Sequence, residues 1–307
     1  MAPGPSSSAE GPLPGEVERV CARPDGAVRY RLRRADERPA RGCVVLLHGL
    51  ASNLTRFSEL VERTRLRSDW DLLRLDLRGH GGSPGSGSVS IETWCADLDA
   101  VLAAADAQRV VLVGHSLGGQ VAQAYAPWHR GQVLGLALLD PLPGDALNAR
   151  ARRWQRAAPA VYALAVAARL ARRLGLARRA LPLRDLRAED QQARSLLAAH
   201  GDVESFVREY SSTRADLRYM HFDHYLQALL ELLRPAPAPE TQACPVLVLL
   251  SAAGTFAEPA AVESWAARFP RARCARIDCE HWPLTERPDE VRAALEGWIA
   301  GLAQAAA

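Results

Sequence analysis

Apolar residues fall in short runs along much of this chain, and the runs are of strand length. Cys43-Val44-Val45-Leu46-Leu47 and Val110-Val111-Leu112-Val113 are continuous, as expected of strands buried on both faces. Leu72 to Leu77, Val133 to Leu139, Val246 to Leu250 and Ala272 to Ile277 add four more strands. Two earlier segments, Val17 to Cys21 and Ala27 to Leu32, flank the turn signature Pro24-Asp25-Gly26. Between the runs, apolar residues recur at helical spacing. The pattern predicts helices over Leu54 to Arg65, Ile91 to Ala105, Ser116 to Pro127, Pro259 to Arg268 and Asp289 to Leu302. Strands alternating with helices predict a parallel, doubly wound sheet with right-handed crossovers.

The alternation stops for about a hundred residues. From Pro141 to Ala243 the text is helical, rich in Ala, Leu and Arg, and interrupted at Pro159, Gly175 and Pro182. Pro235-Ala236-Pro237-Ala238-Pro239 reads as a stiff exit. The expected fold class is therefore α/β, with a doubly wound, mostly parallel eight-stranded sheet and a helical cap inserted after strand six. Residues 1–15, with four prolines, three glycines and three serines, read as a flexible tail. Residues 16–140 and 244–307 form the expected core, and 141–243 the cap or lid.

Composition narrows the function classes. The 307 residues are 48% hydrophobic and 24% charged, which suits a globular protein with a sizeable core. The net charge of +3 is too small to argue for nucleic acid. All 38 basic residues are arginine, which points to a GC-rich coding genome. The longest apolar run, Ala157 to Ala168, contains Pro159 and falls short of the ~20 residues of a membrane span. The chain opens without a basic n-region and apolar h-region, and its six cysteines form no Cys-x-x-Cys pair. Free thiols in a cytoplasmic protein are the expectation.

The chemistry centres on Gly114-His115-Ser116-Leu117-Gly118, between a predicted strand and a predicted helix. A sharp strand-to-helix turn lifts a serine hydroxyl above the sheet, and flanking glycines leave room for the backbone. The helix N-terminus adds a positive dipole end, which favours an oxyanion.

With three further segments, this elbow resembles the α/β-hydrolase superfamily, in its esterase, lipase and epoxide-hydrolase group. The segments are Leu46-Leu47-His48-Gly49-Leu50, Asp76-Leu77-Arg78-Gly79-His80-Gly81 and Glu280-His281-Trp282-Pro283. The resemblance runs from about Val17 to Leu302. It implies Ser116 as nucleophile and His281 as general base, with the backbone N–H groups of Leu50 and Leu117 as the oxyanion hole. It also implies structural roles for His80 and His115, and support of the oxyanion loop for His48.

The acid of the triad departs from the usual pattern. Most relatives carry Asp after the strand that follows the lid, where this chain reads Leu250-Ser251-Ala252-Ala253-Gly254-Thr255. Some superfamily members take the acid from the end of strand six, which here offers Asp140. Glu258 is an alternative, and a Ser–His dyad without an acid is a third possibility.

Between Arg150 and Arg187 stand eleven arginines and one aspartate, Asp185. Solvated basic helix faces account for them, as does contact with an anionic substrate, a lipid surface or an acidic carrier protein. Ala157 to Leu176 has the composition of an interfacial amphipathic helix. In Tyr219-Met220-His221-Phe222-Asp223-His224-Tyr225, His221 and His224 lack an evident third metal ligand. His221, Tyr225 and Trp282 are taken as pocket lining, and no metal or organic cofactor is expected. The leading function is hydrolysis of a small, mostly apolar carboxylic ester, lactone or thioester through an acyl-enzyme at Ser116. A cofactor-independent oxygenase, carbon–carbon bond cleavage, or ligand binding without turnover are the alternatives.

Overall fold

A computed structural model describes residues 10–178 and 180–305. The strands are β1 (Glu16–Arg23), β2 (Gly26–Arg33), β3 (Cys43–Leu47), β4 (Asp71–Leu75), β5 (Val110–His115), β6 (Val133–Leu139), β7 (Val246–Ser251) and β8 (Ala272–Ile277). They form one sheet in the order β1-β2-β4-β3-β5-β6-β7-β8. β2 runs antiparallel to both its neighbours, and from β4 to β8 every pairing is parallel.

Alternate residues of the central strands feed two cores. Val45 and Leu47 of β3 and Leu112 of β5 face α2 (Ile91–Ala104), α3 (Leu117–Tyr125) and α10 (Pro259–Ala266). Val44 and Leu46, with Val111 and Val113, face α1 (Ser58–Arg63) and α12 (Pro288–Ala305), beside the short α11 (Pro283–Glu286). A strand buried on both faces needs apolar residues at every position, hence the continuous runs. The strand order reverses between β3 and β5, so the loops leaving their carboxyl ends diverge and leave a crevice.

Among the described residues six α-helices lie between β6 and β7: α4 (Ala149–Arg156), α5 (Ala158–Arg173), α6 (Leu186–His200), α7 (Val203–Tyr210), α8 (Thr213–Asp216) and α9 (Phe222–Leu232). Pro159 does not interrupt α5. It sits in the first turn, where a missing N–H leaves no bond unmade. Gly175, at φ +79°, follows the end of α5. The helix expected over Leu54 to Arg65 is instead a 3₁₀ turn, the short α1, and a second 3₁₀ turn. The Asn53 and Thr64 side chains accept from nearby backbone N–H groups and start each 3₁₀ turn afresh.

Of the expected tail, residues 1–9 lie outside the described residues, while 10–15 are tied to the core through Leu13 and Gly11. Leu13 is buried, and the Gly11 carbonyl accepts from the buried Arg31 guanidinium at 2.9 Å. A buried arginine needs acceptors, and this segment supplies them.

Candidate active site

The Ser116 backbone has φ 50° and ψ −112°, a region that non-glycine residues occupy only under constraint. The constraint is visible. The Ser116 N–H donates to the Leu139 carbonyl at the end of β6, while its carbonyl accepts from the N–H groups of Gly119 and Gln120. A Cβ at Gly114 would lie 2.4 Å from the Gly118 backbone, and one at Gly118 only 2.1 Å from the Leu47 carbonyl oxygen. Gly114 is required by the close approach of the end of β5 to the start of α3, and Gly118 by that of β3 to the same helix start.

His281, in the loop after β8, places Nε2 3.1 Å from Ser116 Oγ. Its Nδ1 lies 2.5 Å from Asp140 Oδ2. A carboxylate can only accept there, so Nδ1 carries the proton and Nε2 turns a lone pair toward the serine. Asp140 follows β6 with φ 45°, and its second oxygen accepts from the Ser251 N–H at 2.7 Å. Burial opposes ionisation of Asp140, but the bonds from His281 and Ser251 outweigh it and hold the carboxyl below its ordinary pKa. Glu258 has no part in this chain of bonds. It is exposed at the N-cap of α10, and its N–H donates to the Ala146 carbonyl.

The supporting histidines are neutral. His115 Nε2 lies 2.9 Å from the His281 carbonyl and therefore donates to it, holding the histidine loop against the elbow. His48 Nε2 accepts from the Leu77 N–H at 3.0 Å, so its Nδ1 donates to the Gly49 carbonyl at 2.8 Å. This bond shapes the turn after β3. Burial pushes His48 down to about 4 and His115 to about 3. The Asp76 carboxylate ties the same region together, accepting from the N–H groups of Leu54 and Gly82 and from Arg29. Among the described residues the N–H groups of Leu50 and Leu117 have no hydrogen-bond acceptor.

These features agree with comparisons to known proteins. Residues 42–288 match the family of the alpha/beta hydrolase fold. The chain belongs to the α/β-hydrolase fold family. It is 25% identical to the sn-1-specific diacylglycerol lipase of Mus musculus over 261 residues, 84% of this chain and 80% of that protein. A fluoroacetate dehalogenase of Burkholderia sp is 31% identical over 106 residues, about a third of each protein (33% and 34%). Among solved structures, a thermophilic esterase from Thermogutta terrifontis superposes with TM-score 0.64 at 23% identity, covering 94% of this chain and 98% of that one. An enol-lactonase from Burkholderia xenovorans LB400 does so with TM-score 0.64 at 20% identity, over 90% and 97%. Such distant structural likeness speaks for the fold alone.

In this α/β-hydrolase a cavity of about 390 Å3 opens beside Ser116 and His281. Leu50 and Phe256 stand next to the reacting groups, while Leu142, Val161, Leu226 and Leu229 make the walls mostly apolar. Tyr225 and Trp282 line it as expected, but His221 does not. His221 is the N-cap of α9, and its extended backbone (φ −67°, ψ 139°) removes its side chain from the helical face that Phe222, Tyr225 and Leu229 share. Among the described residues no group of three or more His, Cys, Asp or Glu is placed to hold a metal ion.

Phe256, Tyr210 and Asp216 are among the lining residues that sequence reading did not single out. Phe256 sets its ring edge-on to His281 at 4.8 Å between centroids. Tyr210 donates to the buried Asp190. Asp216 also lines the cavity, and its carboxyl lies 3.4 Å from Arg184. Only tertiary packing makes them neighbours, since they come from three separate elements. Among the described residues no helix is long and apolar enough to cross a membrane.

Proposed function

We propose that this α/β-hydrolase is a serine hydrolase that cleaves a mostly apolar carboxylic ester, lactone or thioester through a covalent acyl-enzyme at Ser116. The observation that carries the reading is the continuous chain Asp140–His281–Ser116 beside two unpaired N–H groups at the floor of an apolar cavity. His281 takes the Ser116 proton as Oγ attacks the carbonyl carbon, and Asp140 balances the imidazolium. The N–H groups of Leu50 and Leu117 receive the oxyanion, each worth about 3 kcal/mol in the transition state. His281 then protonates the leaving alcohol or thiol. Water, activated by the same imidazole, releases the acid. The segment 141–243 acts as a cap, since α4, α5, α8 and α9 supply cavity walls. The relative named for diacylglycerol lipase activity supports an ester substrate.

Intact-mass analysis after treatment with a small fluorophosphonate tests this without a known substrate. One adduct on the native chain and none on Ser116→Ala is the expected result. Asp140→Asn should label slower by about 10³- to 10⁴-fold, because the neutral amide permits the wrong imidazole tautomer. A folded chain that takes no adduct would overturn the acyl-enzyme reading.

A further inference from the structure

Helix α5 has two faces with opposite duties. Val161 and Ala165 are buried, and Arg172 is pinned inward, its guanidinium 3.0 Å from Asp223 and 2.9 Å from the Gly85 carbonyl. The other face is apolar where a surface helix is ordinarily polar. Tyr162, Val166 and Leu170 recur every four residues at 64%, 44% and 58% exposure, and Leu174 and Leu176 extend the stripe past the helix end at 68% and 77%. Arg169 and Arg173, seven and eleven residues after Tyr162, fall on the same side of the helix.

Charge sets this patch apart from an ordinary sticky surface. From Asn148 to Arg184 the sequence holds no acidic residue. Most arginines of the segment that lie inward or at its edges are occupied: Arg152 by the Leu147 carbonyl, Arg184 by Glu189, Arg187 by Glu62. The guanidinium groups of Arg153, Arg156, Arg169 and Arg173 have no hydrogen-bond or carboxylate partner among the described residues. The cavity lies close by. Trp154, Leu164 and Phe222 each line it while remaining 49%, 48% and 41% exposed, so its rim is continuous with the apolar patch.

We infer that the outer face of α4 and α5 docks on an anionic lipid surface, with the cavity mouth turned toward the lipid. The aliphatic stripe would enter the headgroup boundary, Trp154 and Tyr162 would sit at its edge, and the four unpaired guanidinium groups would meet lipid phosphates. A folded acidic protein would offer carboxylates to the arginines but no fluid apolar layer for side chains spread along more than three helical turns. The inference extends the proposed ester hydrolysis by naming where its substrate comes from, but docking itself does not require a reactive serine.

Co-sedimentation with phosphatidylcholine vesicles, with and without phosphatidylglycerol, tests docking apart from chemistry, using the full chain and its Ser116→Ala variant. Both should bind the anionic vesicles, weaken with added salt, and bind neutral vesicles much less. Arg153→Glu/Arg173→Glu should lower partitioning by roughly tenfold or more. Val166→Asn/Leu170→Asn should do the same while circular dichroism stays native, because these side chains are already exposed. Absence of binding, equal binding to neutral vesicles, or indifference to both double variants would overturn the inference. So would a concentration-dependent dimer that Leu170→Asn dissolves, since a second copy would then cover the face. If vesicle binding holds while fluorophosphonate labelling fails, docking stands and the acyl-enzyme reading falls.

Discussion

At the scale of single residues, the site depends on groups held where free chains rarely place them. Ser116 and Asp140 both have positive φ, at 50° and 45°, and each is pinned by backbone bonds to a neighbouring strand. Gly118→Ala should therefore fail where most Gly→Ala changes are mild. Its Cβ would meet the Leu47 carbonyl oxygen at 2.1 Å, forcing β3 and the elbow apart. A loss of about 3 kcal/mol or more in urea unfolding is expected, with fluorophosphonate labelling impaired even in the folded fraction. Asp216 offers a second test. Burial, opposed by Arg184, pushes the carboxyl of this cavity-lining residue up to about 6. Above that pH it ionises, and a charge at the cavity wall would disfavour an apolar ligand of the kind proposed. Asp216→Asn should match the native kcat/KM for a p-nitrophenyl ester below about pH 6 and exceed it above, by up to roughly tenfold. A constant ratio across that range would remove Asp216 from substrate binding. Ser116, His281 and Asp140 were all legible as residues, because their motifs are local. That Asp140 bonds to His281 and Glu258 does not was a matter of which loop points into the crevice, beyond the reach of local text.

At the scale of elements, alternation of strands and helices was readable because a doubly covered strand must be apolar throughout. Errors came where local capping competed with periodicity. The text over Leu54 to Arg65 has helical spacing, yet Asn53 and Thr64 restart the turn and break it. Pro159 reads as a breaker but sits where proline is tolerated. How the segment 141–243 is anchored was not legible, since its fixings are single side chains. Arg172 joins α5 to Asp223 and His224 of α9 and to the loop at Gly85. Arg172→Met should leave the buried Asp223 carboxylate unpaired, at a cost of about 3 kcal/mol or more. Faster amide exchange in α5 and α9, with the β-sheet unchanged, is the expected signature. Asn148→Ala should be gentler, about 1 kcal/mol, through loss of the α4 cap and its bonds to the Gly254 and Thr255 carbonyls.

At the scale of the whole molecule, four buried neutral histidines couple stability to pH. Burial pushes His48 and His224 to about 4 and His80 and His115 to about 3. In the unfolded chain each returns to about 6.5, so below that pH the unfolded state binds more protons and stability falls. Each group contributes up to about 1.4 kcal/mol per pH unit until its folded value is reached. Glu286 and Asp216, raised to about 7 and about 6, work in the opposite sense, since the folded chain holds their protons more tightly. A native profile therefore mixes both effects. Comparison with His80→Gln isolates one of them: from pH 6.5 downward the native chain should lose stability relative to the variant, and above pH 7.5 the difference should be flat. Parallel urea midpoints at all pH values would contradict a buried neutral His80.

The amino-acid sequence by itself determined the strands, the helices that cover them, the elbow and the histidine loop. Each rests on burial periodicity or on backbone geometry that only certain residues permit, and both are written into neighbouring positions. Only the tertiary structure decided which carboxylate meets His281, why residues 10–15 stay on the core, and that His221 turns away while Phe256 and Asp216 line the cavity. It also showed that the arginines after Asn148 divide into paired and unpaired sets. The choice of carboxylate depends on a contact between residues 141 positions apart, whose geometry is fixed by how the sheet orders its strands and not by the residues alongside them.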